Sequence, residues 1–196
     1  MNRLALLPAA LALTLSACVA PTGPVEVTRF LAPDITTLGK GTIAVEPAPG
    51  SDPASLEWRS YAGAVMRQLV LNGYTEAPAA SAGQVAVLRL SRQTYRPDRS
   101  GSPVSVGLGG STGSYGSGLG VGIGLNLSGA PKEQVQTELG VLIKDRLSGA
   151  SLWEGRASFT VRAGSPLADT ALGAPKMTEA LFAGFPGKSG ETIRVE

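Results

Sequence analysis

Apolar residues recur along this chain with two periods, and each predicts a different kind of element. Trp58, Tyr61, Val65 and Leu69 are spaced three, four and four apart, a helical stripe that Met66 and Val70 widen. Asp52-Pro53 predicts the start of this helix, with Asp as N-cap and Pro at the first helical position. Asn72-Gly73 predicts its left-handed stop. Strands follow the other period. Gly41–Glu46 is β-branched and closed by Pro47, and Gln84–Arg92 puts Ala86, Leu88 and Leu90 on one face. Val135–Leu147 and Leu152–Arg162 flank the turn cluster Ser148-Gly149-Ala150 and predict a hairpin. Its first arm aligns Val135, Thr137, Leu139, Val141 and Ile143, and its second offers Trp153 and Phe159 to the core. A second helix is expected after Pro175, through Met177, Ala180 and Leu181, with Phe185 just beyond and a stop before Pro186-Gly187.

The order strand–helix–strand–strand–strand–helix predicts an α+β two-layer sandwich. A mixed sheet of about four strands is covered on one face by both helices. The first strand–helix–strand unit forms a right-handed parallel crossover.

Residues 101–130 interrupt this order. They hold 11 of the 26 glycines and no charged residue. A flexible low-complexity loop, a membrane-inserted helix with Gly116, Gly120 and Gly124 in G-x-x-x-G spacing, and an extended hairpin compete here. Leu119, Val121, Ile123, Leu125 and Leu127 all obey period two, which favours a hairpin from about Val104 to Leu127. It would carry an aliphatic face and a bare glycine face. The insert contains neither G-x-G-x-x-G nor G-K-[ST], so it has no phosphate-binding signature.

Composition narrows the chemistry. The chain has no His, which removes the commonest general base and metal ligand and makes a Ser-His-Asp triad impossible. One Cys excludes an intrachain disulfide and a Cys-based zinc site. A formal charge of +2 is too small for electrostatic nucleic-acid binding. Lys188-Ser189 and Lys144…Ser148 are the candidates for a Ser-Lys dyad. Glu133/Glu138 and Asp145/Glu154 do not read as an acid–base pair. Arg89, Arg92, Arg96 and Arg99 form the one basic cluster, read as a solvated strand edge or, alternatively, a contact for an anionic lipid or glycan. No catalytic, cofactor-binding or metal-ligating residue is expected.

The N-terminus reads as an address. Arg3 precedes an apolar run from Leu4 to Leu15, too short for the ~20 residues of a spanning helix. Leu15-Ser16-Ala17-Cys18 has the form of a lipobox, and the only Cys occupies its last position. The expectation is a signal peptide over 1–17, lipidation at Cys18, a tether over 18–38 with one short extended piece at Val25–Phe30, and a single α+β domain over 39–196. Val19 rather than Asp follows the Cys, which predicts sorting to the outer membrane with the domain in the periplasm.

The lipobox, the strand–helix–strand opening, D-R-L-S-G-A-S-L-W-E-G-R (Asp145–Arg156) and L-F-A-G-F-P-G-K-S-G-E-T-I-R-V (Leu181–Val195) resemble bacterial lipoproteins of domain-of-unknown-function family 4136. The resemblance spans roughly 25–195 and implies no activity, cofactor or catalytic residue. The strand order is also similar to the lipoprotein subunit of the lipopolysaccharide-insertion complex, an analogy of fold only. The expected function is therefore a non-catalytic envelope binding or assembly factor. It would be held to the membrane through Cys18 and engage an outer-membrane protein or lipid through the glycine-rich insert. The competing readings are a serine hydrolase with a Lys base and a purely structural lipoprotein.

Overall fold

The structure, a computed structural model, describes residues 23–97, 104–113, 116–125 and 131–196. Strands β1 (Val25–Leu31), β2 (Thr42–Pro47), β3 (Thr75–Glu76), β4 (Gln84–Tyr95), β7 (Gln134–Asp145), β8 (Ser151–Arg162) and β9 (Thr192–Val195) form one sheet in the order β3-β2-β4-β7-β8-β1-β9. Between β4 and β7 in sequence, β5 (Val104–Gly113) and β6 (Gly116–Leu125) pair as a separate two-stranded sheet. Helices α1 (Leu56–Leu71) and α2 (Thr170–Phe182) complete the fold.

The expected sheet of about four strands is thus corrected to seven. The central part is as expected: β2 and β4 run parallel across α1, and β7 and β8 form the antiparallel hairpin. The additional strands come from segments too short to show a sustained period. β3 has two residues and β9 four. The strand β1 lies within the stretch 18–38 read as a tether, where only its extended piece was expected. It pairs antiparallel with β8 on one side and β9 on the other, and Val25 and Val27 are fully buried. The folded unit therefore includes Val25–Leu31. Four strands alone would leave β8 as an open edge, and β1 supplies the hydrogen-bond partners that such an edge lacks.

Alternation along β7 and β8 sends one face of the sheet into the core, where Leu139, Val141, Ile143, Trp153 and Phe159 meet Tyr61, Val65 and Leu69 of α1 and Met177 and Leu181 of α2. Both helices begin elsewhere than expected. Ser55, not Asp52, caps α1, its Oγ accepting from Trp58 N at 3.4 Å, while Asp52 Oδ1 accepts from Ala54 N in the preceding turn. Asp169 caps α2 by accepting from Ala171 N at 2.8 Å, so the helix starts before Pro175 and contains it. Gly73, with φ 98°, supplies the left-handed stop after α1.

Candidate functional site

The most distinctive stretch of the sequence, Phe185–Gly190, folds as a clasp. Arg29 on β1 is 5% exposed and reaches the C-terminal end of α2. Its Nε donates to Leu181 O at 3.0 Å, and Nη2 donates to Ala183 O at 2.8 Å and Ala180 O at 3.2 Å. These carbonyls lie in the last turn, where helical partners run out and the helix dipole favours a cation. Burial lowers the Arg29 pKa from the ordinary arginine value, opposed by the charge of Glu191. The chain then crosses back over β1. A Cβ on Gly187 would lie 2.7 Å from Arg29 Nη1, Leu31 N donates to Ser189 Oγ at 3.0 Å, and Gly190 N donates to Arg29 O at 2.7 Å. Trp153 is buried under this turn. Its Nε1 donates to Pro186 O at 2.9 Å, and its ring lies 5.4 Å from that of Phe182 and 5.3 Å from that of Phe185.

Trp153 is the core anchor its place in the hairpin predicted, and the clasp explains the glycine beside it. Gly155 lies two residues along the same face, where a Cβ would stand 2.1 Å from Trp153 Cη2 and 2.8 Å from Leu181 Cδ1. Arg29 was missed, although alternation in V-E-V-T-R places it on the face of Val25 and Val27. A cation on a buried face requires fixed acceptors, and that was the available signal.

The candidate nucleophiles are occupied by turns. Ser189 Oγ accepts from Leu31 N, and Ser148 Oγ donates to Asp145 Oδ1 at 2.7 Å. Asp145 also accepts from Ser148 N at 2.8 Å, and hydrogen bonds from Ser148 hold its carboxyl below the usual range. Gly187-Lys188-Ser189 does spell the end of a phosphate-binding loop, but position 182, where such a loop needs its first Gly, holds Phe. Gly109-Gly110-Ser111-Thr112-Gly113 matches G-x-S-x-G, yet it lies inside β5, with Ser111 opposite Gly118, rather than on a strand-to-helix elbow. Among the carboxylates, Glu154 pairs with Arg156 at 2.7 Å. No cluster of three or more potential metal ligands occurs among the described residues.

The four arginines do not form one patch. Arg92 Nη1 donates to Glu57 Oε1 at 2.6 Å and Thr170 Oγ1 at 3.0 Å, and its Nη2 donates to the Ala168 carbonyl, so it joins β4 to the starts of α1 and α2. Arg89, three positions away on the strand, belongs to the opposite face and is exposed. Arg96 is exposed beyond the end of β4, and Arg99 lies outside the described residues. The strand has β2 as a partner only through Leu88 and β7 alone thereafter, so its second half is an edge.

The face of the sheet opposite the helices is mixed: Val87, Leu142 and the exposed Phe30 share one row with Glu154, and the part nearer β9 is polar. Glu26, Ser158 and Glu138 sit at adjacent register positions, flanked by Gln136 and Thr160. Arg194 NH groups reach Glu26 Oε1 at 3.0 and 3.1 Å, and Thr28 and Thr192 share a hydroxyl hydrogen bond of 2.7 Å. Gly23, Pro24, Glu26, Ser158, Thr160 and Arg194 line a shallow hollow of about 400 Å³ there. This polar part suits water, as antiparallel sheets allow.

In the insert, the register sets Val104 opposite Leu125, Val106 opposite Ile123, and Leu108 opposite Val121. Directly opposite residues share a face of a ribbon, so these aliphatic positions fall together. Ser105, Gly107 and Gly109 stand opposite Gly124, Gly122 and Gly120 on the other face. Each strand has ten residues. The expected lipidation position, Cys18, lies outside the described residues, as do the signal segment 1–17 and residues 101–103, 114–115 and 126–130 of the insert.

No protein-family model and no curated protein matches the chain. Among solved structures it is similar to a PDZ domain protein from Parabacteroides distasonis, with 15% identity and a TM-score of 0.48 over 88% of this chain and 39% of that one. The chain thus spans about two fifths of that protein's length. It is also similar to PelC dodecamers from Paraburkholderia phytofirmans in two crystal forms, each with 14% identity over 80% of this chain and 96% of the other, at TM-scores of 0.36 and 0.38.

Proposed function

We propose that this protein is a lipid-anchored, periplasm-facing lipoprotein of the outer membrane, a non-catalytic binding or assembly factor that engages an outer-membrane protein or lipid through its glycine-rich hairpin. The observation that carries the reading is the hairpin itself. Its strands pair only with each other in the described sheets, and their register gathers the aliphatic positions on one face with no charge among them. A ribbon of this kind leaves apolar surface and unpaired strand edges that favour association. The lipobox supports placement at a membrane, since acyl chains contribute about 0.8 kcal/mol per buried methylene and two or more hold firmly. The resemblance to family 4136 lipoproteins adds the same class without an activity.

Growth with a clickable fatty acid tests the anchor. The wild-type chain is expected to take up label and fractionate with the outer membrane, and Cys18→Ser to lose both. Equal labelling of Cys18→Ser contradicts the proposal. Stoichiometric reaction of one serine with a fluorophosphonate probe would contradict its non-catalytic part.

A further inference from the structure

We infer that the hairpin is a membrane-spanning strand pair, contributed by each of several copies to one closed β-barrel. This deepens the lipoprotein reading and rests on it. Strand length is the first argument. A spanning strand needs about 9–11 residues, and β5 and β6 have ten each. At about 3.4 Å per residue and a tilt near 45°, each covers roughly 24 Å along the bilayer normal, close to the ~25 Å apolar band of outer-membrane barrels.

The alternation agrees with the length. Barrel strands alternate between lipid and lumen, and the register places Val104, Val106 and Leu108 with Leu119, Val121, Ile123 and Leu125 on one face, which turns polar at Thr112 and Ser117 near the tip, and only Gly and Ser on the other. The aliphatic face takes hydrocarbon, and the Gly/Ser face takes the lumen. Charge is confined to the flanks. Residues 101–130 carry none, whereas Arg96, Asp98 and Arg99 precede them and Lys132 and Glu133 follow in the sequence, so ionic groups bracket an uncharged span.

One copy cannot satisfy this geometry. Among the described residues neither outer edge of the ribbon has a strand partner, and open edges do not persist in hydrocarbon. Other copies of the same ribbon close them. The smallest outer-membrane barrels have about eight strands, so at least four chains are needed.

The test uses the full-length chain in isolated outer membranes, each variant carrying one cysteine in the hairpin. With Cys18 acylated, the introduced thiol is the only free one. V106C, L108C, V121C and I123C are expected to hold an environment-sensitive fluorophore that lipid-borne nitroxides quench. S105C, G107C, G109C and G122C are expected to react with a water-soluble maleimide about tenfold faster, following the lipid–lumen alternation. The particle extracted in mild detergent is expected to contain at least four chains. Uniform reactivity at all eight positions, or an extracted monomer, overturns the barrel. Fatty-acid labelling of the same preparations separates the failures. Label at Cys18 with uniform hairpin reactivity refutes the barrel alone, and absence of label refutes the lipoprotein reading beneath it.

Discussion

Gly155→Val is expected to destabilise the domain by about 3 kcal/mol or more, at the upper end of overpacking effects. A Cβ at this position meets Trp153 Cη2 at 2.1 Å and Cζ2 at 2.8 Å, distances that real Cβ atoms do not adopt. Trp153 cannot yield cheaply. It is 1% exposed, lies between the Phe182 and Phe185 rings and Gly155, and is fixed at its other end by the bond to Pro186 O. For a chain of this size the loss corresponds to a Tm lower by roughly 6–12 °C. Trp153→Ala alone is expected to cost about 3–5 kcal/mol. In the double variant the valine occupies space the indole leaves, so the combined loss falls short of the sum by at least about 1 kcal/mol. Thermal unfolding of the three variants measures this. An unchanged Tm for Gly155→Val, or strict additivity, would contradict the packing described.

Arg29→Ala is expected to be nearly as damaging. It removes donors to three carbonyls at the end of α2, where charge-assisted hydrogen bonds contribute about 1.5–3 kcal/mol each and are not independent. A net loss of about 3 kcal/mol follows, with the clasp over Arg29 released as well. Arg29→Lys keeps the charge but not the planar fork that reaches the separate carbonyls, and is expected to restore less than half. Denaturant midpoints give the comparison. If lysine restores full stability, the helix-capping geometry is not what Arg29 supplies.

Legibility in the sequence followed local periodicity. The helix α1 and the hairpin of β7 and β8 are long, strongly periodic and locally connected, so pattern alone located them. The starts of both helices shifted all the same: Ser55 and Asp169 captured the orphan N–H groups of α1 and α2, and Pro175 proved compatible with the interior of α2. Val25–Phe30 was expected to be extended, but the pairing of the outer strands was hidden for a different reason. β1 and β9 are seven and four residues long, and Glu26 meets Arg194 across almost the whole chain. Pairing of that kind is decided by tertiary contact rather than local propensity. The clasp shares this property. Phe185–Gly190 announces a turn, but its partners Arg29 and Trp153 lie at two distant points of the sequence. The hairpin register, by contrast, follows the period-two pattern of residues 119–125 that was visible from the start, with Val104, Val106 and Leu108 aligned against it.

The central claim is that association resides in the hairpin and not in the seven-stranded domain. Replacing residues 104–128 with a short Ser/Gly linker in the full-length chain tests it most directly, with thermal unfolding and crosslinking in cells measured together. None of the seven strands of the main sheet is removed by this change. Loop replacements of this length alter closure entropy by only about 1 kcal/mol, so Tm is predicted to stay within roughly 4 °C of wild type. Fatty-acid label at Cys18 is predicted to remain, and the main crosslinked species to disappear. Unfolding of the domain, or crosslinks that persist unchanged, would contradict the account.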